Sequence, residues 1–120
     1  QFTLGHGLAY CGNGFRWVNR RSSIMFKVNT KRKLNLNFSV ASFHREQPVT
    51  VYLNRKPVGK LTILPEMKEY VLPIEQYFEP GINVIHFIFD KGFQPSKIIP
   101  GSPDERKIAA KFTEIFLTEP

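Results

Sequence analysis

Residues 34–41 read Leu-Asn-Leu-Asn-Phe-Ser-Val-Ala, apolar at every second position. A period of two collects Leu34, Leu36, Phe38 and Val40 on one face of an extended chain and scatters them around a helix. The same alternation recurs. Ile24, Phe26 and Val28 are interleaved with Met25 and Lys27, and Val49, Val51 and Leu53 with Thr50 and Tyr52. The last run ends in Asn54-Arg55-Lys56-Pro57, which reads as a hairpin turn into residues 58–64. Further strands are expected over 70–74, over 82–89 after Pro80-Gly81, and over 112–117. No window keeps a helical spacing. Short strands separated by Pro, Gly and Asn define an all-β chain, folded as an antiparallel β-sandwich or jelly roll.

A length of 120 residues with 42% hydrophobic content suits one domain over 1–120. Such a domain buries roughly two-thirds of its unfolded surface. Residues 1–13 are expected to be a less regular N-terminal segment. No apolar run approaches the roughly 18–20 residues of a membrane-spanning helix. The chain begins at Gln1, as expected of a processed or excised piece. Cys11 is the only cysteine, so an internal disulfide and a multi-cysteine zinc site are excluded. His6, His44 and His86 are too dispersed for a ligand pair, and no metal or other cofactor is expected.

Charge is unevenly distributed. Residues 1–60 carry 11 Lys or Arg against one acid, Glu46, and residues 61–120 carry 6 against 9. The first half is therefore a candidate attractive surface for an anionic surface or an acidic protein. The competing reading makes Arg20-Arg21 and Lys31-Arg32-Lys33 solvated turns. Nucleic acid is disfavoured because the cations sit in turns and no Gly-rich basic motif is present.

The segment Gly101-Ser102-Pro103-Asp104-Glu105-Arg106 combines a serine with acids, but no histidine lies nearby to activate the hydroxyl. Ser-Pro-Asp-Glu also fits one turn of helix, with Ser as cap, leading into the last strand. The segment reads as architecture, and no nucleophile–base pair or catalytic carboxylate pair can be assembled elsewhere. An enzyme is not expected. Binding residues are sought where aromatics meet hydrogen-bonding groups. Tyr10, Asn13, Arg16 and Trp17 form the richest such stretch, with Trp17 suited either to stacking or to plugging the core. Phe43, His44 and Arg45 form a second, at the end of the 34–41 strand, where a solvated hairpin end is the alternative.

Several stretches carry a family resemblance. They are Phe15-Arg16-Trp17, Val49-Thr50-Val51-Tyr52-Leu53-Asn54 with Val58-Gly59, Phe78-Glu79-Pro80-Gly81-Ile82-Asn83-Val84-Ile85, Phe93-Gln94-Pro95-Ser96 and the Gly101–Arg106 segment. In this order they resemble the carbohydrate-binding-module-like jelly-roll domains appended to membrane glycosyltransferases and cell-surface polysaccharide enzymes. The chain departs from that pattern at Lys107-Ile108-Ala109, where an apolar residue and a glycine are usual. The resemblance implies a galactose-binding-like jelly roll with no chemistry of its own. It further implies a carbohydrate-binding accessory domain, extracytoplasmic or membrane-associated, whose partner is a glycan or the rest of a larger membrane-associated enzyme.

Overall fold

The computed structural model describes residues 2–3 and 16–120, with side chains from residue 18 onward. The strands are β1 (Phe2–Thr3), β2 (Arg16–Val18), β3 (Arg21–Val28), β4 (Asn35–Ser42), β5 (Gln47–Leu53), β6 (Lys56–Ile63), β7 (Lys68–Pro73), β8 (Gly81–Phe89) and β9 (Ala110–Thr118), and one helical turn, α1 (Pro95–Ile98), precedes β9. They build two antiparallel sheets, ordered β1-β3-β8-β5-β6 and β2-β9-β4-β7. The seven strands expected from alternation all form. The two additional strands, β1 and β2, are too short to show a period.

The inward-facing half of each alternation supplies the core between the sheets. Phe26, Phe38, Phe78, Phe87, Phe89 and Phe112 are at most 2% exposed. Phe87 lies 4.9 Å from Phe112 and 5.3 Å from Phe38, centroid to centroid, in tilted or edge-on contact. Burying each such side chain is worth about 1.5–3 kcal/mol. Tyr70 stacks on Phe38 at 5.7 Å, and its hydroxyl accepts from the Leu64 amide at 3.0 Å. Where β6 passes β7, a side chain at Gly59 would meet Leu72 Cδ1 at 2.7 Å, so any larger residue there would have to displace the Leu72 side chain.

The clean alternation of β4 is modified in two places. Asn37, on the polar half of the pattern, is only 7% exposed. It sits on a central strand, in register with Val71 on one side and Phe116 on the other. Its amide donates to Thr118 Oγ1 at 2.8 Å. A bulge between Ser39 and Val40 then shifts the register, and both Ala41 and Ser42 are buried.

The hairpin after β5 is tighter than the four-residue turn expected. Only Asn54 and Arg55 form the loop, both with positive φ (48° and 75°), and Lys56 already pairs with Leu53. Two left-handed residues match the twist of the flanking strands.

Candidate functional site

The sandwich has two ends. Four connections meet at the first: residues 19–20, 43–46, 64–67 and the long segment 90–109. Here the second of the stretches singled out from sequence is assembled. The chain leaves β4 through Phe43, takes a positive φ of 76° at exposed His44, and returns through Arg45 and Glu46 into β5. The Arg45 amide donates to the Phe43 carbonyl at 2.9 Å, and the Ser42 hydroxyl donates to the Arg45 carbonyl. From the other side of the end comes Phe93, fixed by a pair of 2.8 Å backbone bonds with Ile108. The His44 ring meets Phe93 edge-on at 5.1 Å, Arg45 Cζ stands 5.4 Å from the Phe93 centroid, and Phe43 is 6.5 Å away. Two half-buried aromatic rings thus lie beside an exposed imidazole and an exposed guanidinium.

Buried Gln47 holds this arrangement together. Its amide donates to Ser42 Oγ and to the Ala109 carbonyl, both at 3.2 Å, and its carbonyl oxygen accepts from the Lys91 amide at 2.7 Å. One side chain thereby ties the end of β4 to both ends of the 90–109 segment. The Ala109 carbonyl also accepts from Phe43 N, and its amide donates to the Val18 carbonyl, each at 2.8 Å. The end of β2 is therefore coupled to Phe43 through one residue.

Of the first predicted stretch, Arg16 and Trp17 lie in β2, in register with Phe112 and Lys111, and their side chains fall outside the described residues. Tyr10 and Asn13 lie wholly outside them, as does the rest of the expected irregular segment 1–13 apart from residues 2–3. Their part in binding stays an expectation.

The Gly101–Arg106 segment frames the same end. The helical start expected at Ser102 does not form, and the single helical turn comes earlier, at Pro95–Ile98. Local hydrogen bonds win over the helix. The Asp104 carboxylate accepts from the Arg106 amide at 3.0 Å and from its guanidinium at 2.6–3.1 Å. The Asp104 carbonyl accepts from Ser96 N at 2.8 Å, and the Glu105 carbonyl from Gln94 Nε2 at 2.8 Å. Ser102 Oγ accepts from the Asp104 amide at 3.3 Å. The hydrogen bonds from Arg106, aided by its charge, hold the Asp104 carboxyl down to about 2. The Asp104 carboxylate and the Ser102 hydroxyl shape the loop.

At the second end, residues 29–34, 54–55 and 74–80 meet. Exposed Tyr77 has Lys31 Nζ and Lys33 Nζ each 5.2 Å from its ring centroid. An open hollow of about 300 Å³ adjoins it, lined by Lys31, Asn54, Lys56, Gln76, Tyr77 and Glu79. Sequence reasoning missed Tyr77, because an aromatic in an irregular connection carries no period to show which way it points. Fully buried Asn83 organises this end: its amide donates to the carbonyls of Glu79 (2.8 Å) and Gly81 (3.2 Å), and its Oδ1 accepts from Glu79 N and Asn54 Nδ2. Among the described residues no three His, Cys, Asp or Glu come together to hold a metal ion. No described helix is long and apolar enough to cross a membrane.

No protein family and no curated protein matches the chain. Solved structures do. A family 35 carbohydrate-binding module from an environmental isolate superposes with a TM-score of 0.61 at 14% identity, over 91% of this chain and 75% of that one. A ruminal GH26 endo-β-1,4-mannanase gives 0.55 at 14% identity over 92% of this chain, which spans 20% of the mannanase chain. Xyl-CBM35, solved with a glucuronic-acid-containing disaccharide, gives 0.54 at 8% identity, over 91% of this chain and 76% of that one. The chain shares the fold of these structures over the matched parts, an antiparallel β-sandwich jelly roll.

Proposed function

We propose that the protein is a non-catalytic carbohydrate-binding accessory domain, working at a membrane or cell surface outside the cytoplasm, alongside the rest of a larger polysaccharide enzyme. The observation that carries this reading is the Phe43–His44–Arg45–Phe93 cluster at the first end. Half-buried rings offer an apolar edge for a sugar ring, and the imidazole and guanidinium beside them offer hydrogen bonds to hydroxyls or to a sugar carboxylate. Arg45 faces no carboxylate among the described residues. Gln47 and the Asp104–Arg106 pair fix the surrounding loops, so little ordering would accompany binding. Two of the similar structures are carbohydrate-binding modules, one of them holding a uronate-containing disaccharide, which fits an arginine in the cluster.

The test is calorimetric titration with neutral and uronate-containing oligosaccharides at low and near-molar salt, with Trp17 fluorescence as a second readout. Binding that persists at high salt for a neutral sugar and weakens roughly tenfold in Phe93→Ala supports the reading. An intact, folded chain that binds none of these sugars sinks it. A second reading, an interaction module for an anionic surface, is favoured by a different region, the cation-fringed outer face of the five-stranded sheet.

A further inference from the structure

The solvent-facing side of the β1-β3-β8-β5-β6 sheet carries an apolar strip, interrupted at His86, where a solvated sheet face is usually polar. Along β8, Ile82, Val84 and Ile88 point outward, flanked by Met25 on β3 and Tyr52 on β5. Met25 is 53% exposed and Ile82 is 55% exposed. Arg21, Lys27 and Lys60 stand around this strip, and none forms an ion pair among the described residues. The paired strands present no Asp or Glu on this face, and Asp90 lies at its rim, between Arg20 and Lys60.

At the Arg21 end of the strip a shallow cleft of about 240 Å³ opens, lined by Arg21, Ser22, Ser23, His86, Phe87 and Ile88. His86 Nδ1, on the outward side, is shielded from water and has no hydrogen-bond partner among the described residues, whereas unpartnered Ser22 Oγ belongs to the inward side of β3. An unpartnered shielded nitrogen is unfavourable, and its place beside Ser23 and the Arg21 guanidinium on the same face suits an oxygen atom of a ligand.

We infer that this face docks on an anionic phospholipid bilayer. Met25 and Ile82 enter the headgroup boundary, Lys27 and Lys60 meet headgroup charge, and the Arg21–Ser23–His86 cleft takes the phosphate of one lipid. Size favours a bilayer over a protein. Three strands roughly 4.8 Å apart, with three or four outward residues each, make a patch of a few hundred Å², whereas a stable protein interface covers about 800 Å² per partner. A bilayer needs no matching surface, only apolar area and cations against its negative potential. The inference sharpens the membrane-surface part of the reading above, and it stands apart from the sugar cluster, which lies at the end of the sandwich.

The experiment is co-sedimentation of the full chain with vesicles of phosphatidylcholine, alone and mixed with phosphatidylserine. Binding is expected only to the mixed vesicles and should fade at near-molar salt. Lys27→Glu with Lys60→Glu should lower the partition coefficient by roughly a hundredfold or more. Met25→Ser with Ile82→Ser should lower it by roughly tenfold. Lys31→Glu with Lys33→Glu, at the far end, should leave it unchanged, and thermal melts confirm that each variant folds. Equal failure on both vesicle types overturns the inference, as does full binding by the Lys27–Lys60 variant or loss in the Lys31–Lys33 variant. Inorganic phosphate binding that Arg21→Gln abolishes, with no vesicle binding, would make the cleft a soluble-anion site and equally overturn the docking. Sugar titrations of the same variants separate this outcome from failure of the glycan reading.

Discussion

The two ends of the sandwich carry similar ingredients and use them differently. At the second end, the Lys31-Arg32-Lys33 run has the highest local density of positive charge in the sequence. In the fold each of the three meets its own carboxylate: Lys31 faces Glu79 at 3.9 Å, Lys33 faces Glu75 at 3.7 Å, and Arg32 pairs with Glu119. The acids come from the second half of the chain, so the charge imbalance between the halves is largely cancelled in space at this end. At the first end, Arg45 leans over Phe93 with no carboxylate partner among the described residues. A cluster of cations in sequence is therefore a poor guide to where charge is available. Exposed ion pairs of this kind are individually weak, about 0–1 kcal/mol, but they are enough to lower the local potential that a partner would meet.

Each end is also organised by one buried amide, which gives the largest expected effects. Asn83→Ala removes a fully buried side chain that serves four part-buried groups on Asn54, Glu79 and Gly81. A loss of about 3 kcal/mol is expected, read from urea unfolding. Gln47→Ala removes three hydrogen bonds at the first end and should cost about 2 kcal/mol. If the two losses were reversed, the first end would be the more tightly built, contrary to the comparison.

Binding separates the ends more sharply. Phe93→Ala is expected to weaken sugar affinity by roughly tenfold, the worth of one aromatic stacking contact. Tyr77→Ala should leave it unchanged, because the lysines already stand over that ring. Calorimetry on the two variants decides. Loss in Tyr77→Ala with retention in Phe93→Ala would transfer the site to the other end.

What the sequence could and could not show follows from the same contrast. Alternation in 24–28, 34–41, 49–53 and 82–89 revealed the strands because a half-buried strand writes its two environments into every second residue. It revealed Phe43-His44-Arg45 as a loop-end group because a strand of known period points to where it stops. It could not reveal Phe93 as their neighbour, since that contact joins residues about fifty positions apart through the Phe93–Ile108 bridge. Nor could it show that Asn37 is buried, because covering by Val71 and Phe116 depends on strand order, which alternation does not encode. The β1 and β2 strands borrow their regularity from β3 and β9 and have no pattern of their own.

Backbone strain offers a subtler comparison. His44 and Arg55 both hold positive φ without being glycine, at a cost of order 1 kcal/mol each. Arg55→Gly completes an Asn-Gly turn and should raise stability by about 0.5–1 kcal/mol without touching sugar binding. His44→Gly should raise stability by a similar or smaller amount, about 0.5 kcal/mol, while lowering affinity. Paired melts and titrations test this. A His44→Gly variant that gains stability and binds undiminished would remove the imidazole from the site.

The smallest effect concerns the pair that frames the first end. Asp104 titrates near 2 in the folded chain, below its ordinary value of 3.8, because it accepts hydrogen bonds from Arg106. A carboxyl whose folded value is depressed contributes stability above its unfolded value and loses it as pH falls through the folded one. The Asp104 contribution is thus intact at pH 5, declines below about pH 4, and is gone near pH 2. Both partners are largely solvated, so water and salt screen the pair and its share of global stability is small. Asp104→Asn should therefore melt slightly earlier than the parent at pH 5 and converge with it as pH approaches 2. In the same variant, loosening of the 95–106 loop should weaken sugar binding more visibly than it lowers the melting temperature. Equal melting at both pH values, with unchanged affinity, would mean that the loop is held by the Gln94–Glu105 and Ser96–Asp104 hydrogen bonds alone.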